Sequence, residues 1–127
     1  MFNDMLTDAY HFKVCHDEVK PWEASQITCF NQDNQEIGRL QFTGPEYDYC
    51  VRIEDLYVKP DCRRQGVGSA MLNYLIKRNP AVPIFVNIVP VYRGVDLNGL
   101  IEFYTVNGFY VKRTSTIQAE GYFNFGD

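Results

Sequence analysis

The chain is 127 residues long, 46% hydrophobic and 15% aromatic, enough to bury one core but too short for a second domain of typical size, so residues 1–127 are expected to form a single domain. Twelve Lys and Arg against sixteen Asp and Glu leave a formal charge of −4, the wrong sign for a broad nucleic-acid-binding surface and mildly favourable to a cationic substrate. No run of about 18 apolar residues is present to span a membrane, and Met1-Phe2-Asn3-Asp4-Met5 is neither basic nor followed by an apolar stretch, so a cytoplasmic protein without membrane attachment is expected.

In chain order, Tyr10 to Cys15 reads as a first strand, and Ser25 to Phe30 with Glu36 to Phe42 reads as a hairpin around the polar turn Asn31-Gln32-Asp33-Asn34. Gly44-Pro45 breaks the chain before a long strand from Tyr49 to Val58, which ends at Pro60. A helix follows from about Gly66 to Arg78, because Val67, Ala70, Met71, Tyr74 and Leu75 recur at helical spacing, and Asn79-Pro80 stops it. Ile84 to Val89 is a short apolar run that fits a buried strand. Leu97, Leu100, Ile101 and Tyr104 then mark a second amphipathic helix closed by Asn107-Gly108. Phe109 to Thr114 and Tyr122 to Phe125 complete the pattern as strands, the last one aromatic enough to pair across a dimer. The fold class is therefore α/β (mixed α+β), a central mixed sheet of about seven strands with a parallel middle and helices on its faces.

The cysteines Cys15, Cys29, Cys50 and Cys62 form no C-x-x-C pair and suit structural thiols. His11, Cys15 and His16 are close in sequence, but no second ligand pair completes a metal site, and no metal is expected.

The segment Arg63-Arg64-Gln65-Gly66-Val67-Gly68 is a basic, glycine-punctuated turn between a strand and a helix. The first amides of the helix lack intrahelical partners and point out with the positive end of the dipole, which favours an anion. Gly66 and Gly68 are expected to permit unusual φ values and close approach to backbone, so that consecutive N–H groups converge. A dinucleotide-binding G-x-G-x-x-G would need glycine at Met71, and a Walker A loop would need Gly-Lys-Ser/Thr where Met71, Leu72 and Asn73 stand. Both phosphate motifs fail.

What remains, Arg-x-x-Gly-x-Gly after Ile53-Glu54-Asp55-Leu56-Tyr57-Val58 and before an amphipathic helix, resembles the acetyl-CoA-binding segment of the GNAT superfamily of N-acetyltransferases. The stretch from Asn98 to Phe109, an asparagine followed by a helix bearing Phe103-Tyr104 and closed by Gly108-Phe109, is similar to the second signature of that family. The element order resembles the acyl-CoA N-acyltransferase fold along nearly the whole chain. It departs in one place: where the family usually has two helices between its first two strands, only Asp17 to Ala24, containing Pro21, is available, so that lid is expected to shrink to a loop.

The resemblance implies acetyl-CoA as co-substrate and a primary amine as acceptor, joined by direct attack in a ternary complex. Cofactor contacts are implied for Arg63, Arg64, Gln65, Gly66, Val67, Gly68 and Ser69 around the phosphates, and for main-chain groups of Leu56, Tyr57 and Val58, whose strand is splayed from its parallel neighbour. Asn98 would bond the pantetheine arm, or else merely cap the helix. Tyr104 would protonate the departing thiolate, or else only pack its ring in the core. Main-chain donors aimed at the acetyl oxygen would stabilise its developing charge, a contribution of about 3 kcal/mol per donor in other acyl-transfer enzymes.

An amine of pKa near 10.4 is mostly protonated at neutral pH and must lose a proton before it attacks. The run Ile53 to Val58 looks like the corresponding run of diamine acetyltransferases, and Glu54 is expected as base with Asp55 binding the acceptor. As strand neighbours they point to opposite faces. Tyr92, Arg93 and Asp96, on a long loop before the second helix, are placed as acceptor contacts that replace part of the missing lid. No cysteine sits in a Cys-His nucleophile motif, which argues against a covalent enzyme intermediate. Two other functions stay open, a coenzyme A-binding regulatory module without turnover and a nucleic-acid-binding domain using Arg63 and Arg64, the latter opposed by charge. Small polyamine, aminoglycoside-like amine, amino acid, peptide N-terminus and protein lysine all remain as acceptors, and either a monomer or a homodimer is compatible with the sequence.

Overall fold

The structure, a computed structural model, describes residues 10–16, 24–45 and 49–126. The segment expected to replace the helical lid lies outside the described residues except for Ala24. Seven strands and two helices follow one another as β1 (His11–Cys15), β2 (Ser25–Phe30), β3 (Glu36–Thr43), β4 (Val51–Val58), α1 (Val67–Arg78), β5 (Ile84–Ile88), α2 (Leu97–Val106), β6 (Tyr110–Arg113) and β7 (Ala119–Phe123). The strands form one mixed sheet in the order β1-β2-β3-β4-β5-β7-β6. A short 3-10 turn at Pro60–Cys62, too short to show as periodicity, starts the connection to α1.

The chain divides into two compact units, and β4 runs from one to the other. The first holds the described residues up to Phe42 together with Asp55–Pro80. Its hairpin of β2 and β3 turns where Asn31 Oδ1 accepts from the amides of Asp33 and Gln35, while Asn34 takes the left-handed conformation that asparagine tolerates. Ile27, Cys29 and Leu40 are fully buried in it, as are Met71, Leu72 and Leu75 of α1. Gly38 makes room for that helix, since a Cβ there would lie 2.8 Å from Met71 Cε. Phe12 of β1 stacks on Tyr74 of α1 at 4.6 Å.

The second unit holds Thr43–Glu54 and the described residues from Ala81 onward. The start of β4 pairs in parallel with β5 from Val51↔Ile84 to Ile53↔Val86, and β5 pairs antiparallel with β7. The helix α2 ends as the Asn107-Gly108 signal requires: Gly108 has φ 95°, its amide donates to Thr105 O, and the Phe109 amide donates to Tyr104 O. Tyr104, Phe109 and Phe123 form a chain of ring contacts at 5.2 Å each.

The last strand differs from expectation in position and consequence. It spans Ala119–Phe123 rather than Tyr122 to Phe125, because Ala119 and Gly121, too small to register as apolar pattern, are the residues buried on it. A Cβ on Gly121 would meet Val86 Cγ1 at 2.8 Å. With β5 on one side and β6 on the other, β7 has no open edge for pairing across a dimer. Smaller shifts have local causes: Tyr49 lies in a bend before β4, and Phe109 is absorbed into the helix closure before β6.

Candidate functional site

In the first unit the basic turn opens α1 directly. Arg64 and Gly66 are both left-handed, with φ 63° and 85°, and Gly66 is the N-cap residue without a side-chain cap. A Cβ on Gly66 would meet nothing within 4 Å, so the backbone angle rather than crowding demands glycine there. Gly68 lies inside α1 and is not left-handed, so the unusual φ expected of both glycines belongs to Gly66 alone. The helical ladder begins with Ala70 N–H donating to Gly66 O at 2.9 Å. Among the described residues the amides of Gly66, Val67 and Gly68 have no protein acceptor. Three adjacent N–H groups at the positive end of a twelve-residue helix suit a phosphate group.

The two arginines of this turn differ. Arg63 Nε donates to Val58 O at 2.9 Å and its guanidinium lies 5.9 Å from the Tyr57 ring centroid, which fastens the turn to the end of β4. Arg64 is exposed and carries no hydrogen bond or ion pair among the described residues, so it is the cation able to follow a ligand. Gln65 Nε2 donates to Asp61 O at 3.3 Å, and Tyr10 Oη, at the threshold of β1, donates to Gln65 O at 3.2 Å. Leu56, Tyr57 and Val58 are half-buried on β4 beyond Ile53, the last residue of the parallel ladder. Asp55 is ion-paired with Arg39 Nε at 3.4 Å, and Arg39 also lies over Tyr57 at 4.7 Å.

Cys62 sits beside this turn, and its chemistry is discouraged. Burial first, then the Asp61 carboxylate to which its Sγ donates at 3.6 Å, push the thiol above its ordinary range, while Lys59 opposes weakly. Burial likewise raises Cys29 to about 11. Neither supplies a ready thiolate at neutral pH. Among the described residues no three of His, Cys, Asp and Glu converge as a metal site; His11 stacks on Phe30 and His16 bonds Ser25.

The second unit carries the remaining candidates. Glu54 is exposed on β4 and its Oε1 accepts from Thr43 Oγ1 at 3.0 Å. Asn98 does not cap α2: Asp96 does, its Oδ1 accepting from Gly99 N–H at 2.7 Å. Asn98 Oδ1 accepts instead from Arg113 at 2.6 Å, and its Nδ2 donates to no protein group among the described residues. Tyr104 is 3% exposed, edge-on to Phe103 at 5.0 Å and to Phe109 at 5.2 Å, a setting that withholds its ring from water and fixes its phenol. Tyr92 is half-buried and Arg93 exposed on the loop before Asp96, where Val95 N–H donates to Tyr92 O at 3.2 Å.

Tyr10, Arg39, Thr43 and Arg113, each a partner of a candidate from another stretch of chain, carry no sequence signal of that role. Only the Asp96 cap had a local signal, an aspartate directly before the apolar helical pattern.

No curated protein matches the chain. Solved structures similar to it in fold include nourseothricin acetyltransferase, at 13% identity and TM-score 0.62 over 90% of this chain and 96% of that one. The PaiA N-acetyltransferase of Thermoplasma acidophilum, solved in complex with coenzyme A, is similar at 19% identity and TM-score 0.60, over 79% of this chain and 60% of that one. The anti-CRISPR protein AcrVA5 is similar at 24% identity and TM-score 0.54, over 66% of this chain and 88% of that one. The family of the acetyltransferase (GNAT) domain matches residues 23–111, which contain both the basic turn and the Asn98 to Phe109 signature, and the chain belongs to that family.

Proposed function

We propose that this protein transfers the acetyl group of acetyl-CoA to a primary amine by direct attack within a ternary complex, as a single functional domain. The observation that carries the reading is the turn at Arg63–Gly68, where a left-handed Gly66 opens α1 with three amides lacking a protein acceptor and an exposed Arg64 alongside. These features fit a pyrophosphate: fixed N–H donors, the helix dipole and an exposed cation act on the same anion. Bound acetyl-CoA supplies an acetyl thioester that an amine can attack.

The chain's own residues do the rest. Gly66, Val67, Gly68 and Ser69, with Arg64 and Gln65, hold the phosphates, and Arg63 braces the turn against Val58. Main-chain groups of Leu56, Tyr57 and Val58 align the pantetheine arm, and Asn98, its Oδ1 occupied by Arg113, offers its Nδ2 donors to that arm. Glu54 accepts the amine proton, with Thr43 orienting the carboxylate. Asp55 contacts the acceptor from within its Arg39 pair, and Tyr92 and Arg93 line the acceptor side from their loop. Tyr104 gives its phenolic proton to the leaving thiolate. That transfer is modestly uphill from a phenol of pKa about 10 to a thiol of about 8.5, and a fixed geometry offsets it.

Isothermal titration with coenzyme A tests the donor side, and thiol release from acetyl-CoA across a panel of amines tests turnover. Absence of coenzyme A binding, or of any thermal stabilisation at saturating ligand, would sink the reading, since a ligand of the folded state must stabilise it by mass action. The Arg39–Asp55 ion pair favours a second reading, coenzyme A held without turnover, because it occupies a carboxylate that an acceptor amine would use. Tight binding with no thiol release under any amine would select that alternative.

A further inference from the structure

We propose that Tyr10 is a positioning residue for the phosphate-binding turn: by holding the Gln65 carbonyl it aims the Gly66 N–H at the anion. The inference rests on the coenzyme A reading of that turn. A trans peptide is planar, so the carbonyl of Gln65 and the amide of Gly66 point in opposite directions, and fixing one fixes the other. Tyr10 Oη donates to Gln65 O at 3.2 Å across 55 residues of chain. The Gly66 N–H, on the opposite side of that peptide, has no protein acceptor among the described residues.

Such an anchor has a job because the turn is conformationally exposed. Gly66 has no Cβ to limit its φ, so the Gln65–Gly66 peptide turns at little steric cost unless something holds it. Gln65 Nε2 to Asp61 O is a side-chain tie and leaves the peptide plane undetermined. Tyr10 fixes the plane, and its own position is set by β1, whose Phe12 stacks on Tyr74 of α1. The first strand thereby reaches both the body and the mouth of the helix it serves. Burial, with smaller contributions from Cys29 and Cys62, raises the Tyr10 phenol above its ordinary value, so it stays a donor throughout the neutral range.

The test compares wild type with Tyr10→Phe, which keeps the ring and removes only the hydroxyl. Coenzyme A binding by titration is expected to weaken about three- to tenfold, the range for one lost hydrogen bond, and KM for acetyl-CoA to rise by the same factor with kcat unchanged. Acetyl-pantetheine, which lacks the pyrophosphate, serves as the second donor, and its kcat/KM is expected to be the same for both proteins. Equal coenzyme A affinity in the two proteins overturns the inference, and so does a parallel loss with acetyl-pantetheine, which would mark Tyr10 as a general support of the fold. If wild type itself fails to bind coenzyme A, the functional reading falls first and this inference with it.

Discussion

The two halves of the candidate machinery are built in opposite ways. In the first unit the candidates share supports: Arg63 bonds Val58 and lies over Tyr57, Arg39 pairs with Asp55 and covers the same ring, and Gln65 is tied to Asp61 and to Tyr10. In the second unit three candidates are each held on a separate support, Glu54 by Thr43, Asn98 by Arg113, Tyr104 by Phe103 and Phe109. The donor side is thus a local motif with shared supports, one of them, Tyr10, reaching it from 55 residues away. The reacting side is a set of single groups, each on a separate support, and such groups tolerate change in their surroundings only while the support stays in place.

That contrast predicts where single substitutions act most strongly. Tyr104→Phe preserves the ring contacts and removes only the phenol, so the protein should melt near the wild-type temperature while kcat falls about 10²-fold or more, the lower range for loss of a general acid. Coenzyme A affinity should barely move. Unchanged turnover would reduce Tyr104 to a core aromatic and leave the second unit without its acid.

Glu54→Gln should lower kcat/KM for the amine by roughly 10²-fold at neutral pH. The sign of its pH dependence is fixed by the acceptor. An amine of pKa about 10.4 sheds its own proton as pH rises toward that value, so the mutant's deficit should shrink in alkaline buffer. A deficit that stays constant with pH would mean that Glu54 positions the acceptor and does not take its proton.

The donor side should respond through binding instead. Gly66→Val places a β-branched residue at φ 85°, at an expected cost of about 1–3 kcal/mol in stability. Coenzyme A should weaken about tenfold, with loss of one charge-assisted bond from the helix mouth. Because a Cβ there meets nothing within 4 Å, Gly66→Ala should show the same pattern in milder form. Equal binding by both variants would show that the left-handed turn is not what cradles the phosphate.

The same contrast explains what the sequence disclosed. The strand-turn-helix around Arg63 to Gly68 is contiguous, so its residue types announce its geometry, and the Asn107-Gly108 closure of α2 was legible for the same reason. The order of elements followed from helical and strand periodicity. What escaped was either small or remote. Ala119 and Gly121 lie buried opposite Ile88 and Val86 without producing an apolar pattern, so the true span of the last strand leaves no periodic signal. The contacts Tyr10–Gln65, Arg39–Asp55 and Arg113–Asn98 join stretches that only the fold brings together. Glu54 and Asp55 are adjacent acidic residues in sequence, yet one is exposed beside a hydroxyl and the other is ion-paired with an arginine.

That last difference bears on the acceptor and gives the smallest effect expected here. A carboxylate already paired with Arg39 at 3.4 Å, with the two side chains 20% and 36% exposed, offers a distal ammonium group less than an unpaired one would. Diamines should therefore gain little over monoamines of equal length in the wild-type protein. Arg39→Met keeps an extended side chain near Tyr57 and withdraws the competing charge, so the ratio of kcat/KM for a diamine to that for a monoamine should rise, by up to about fivefold for a partly exposed pair. High salt should erase the gain, since it screens a charge open to solvent. A ratio unmoved by Arg39→Met would separate Asp55 from acceptor binding and confine the acidic pair to Glu54, leaving the first unit a purely donor-binding device.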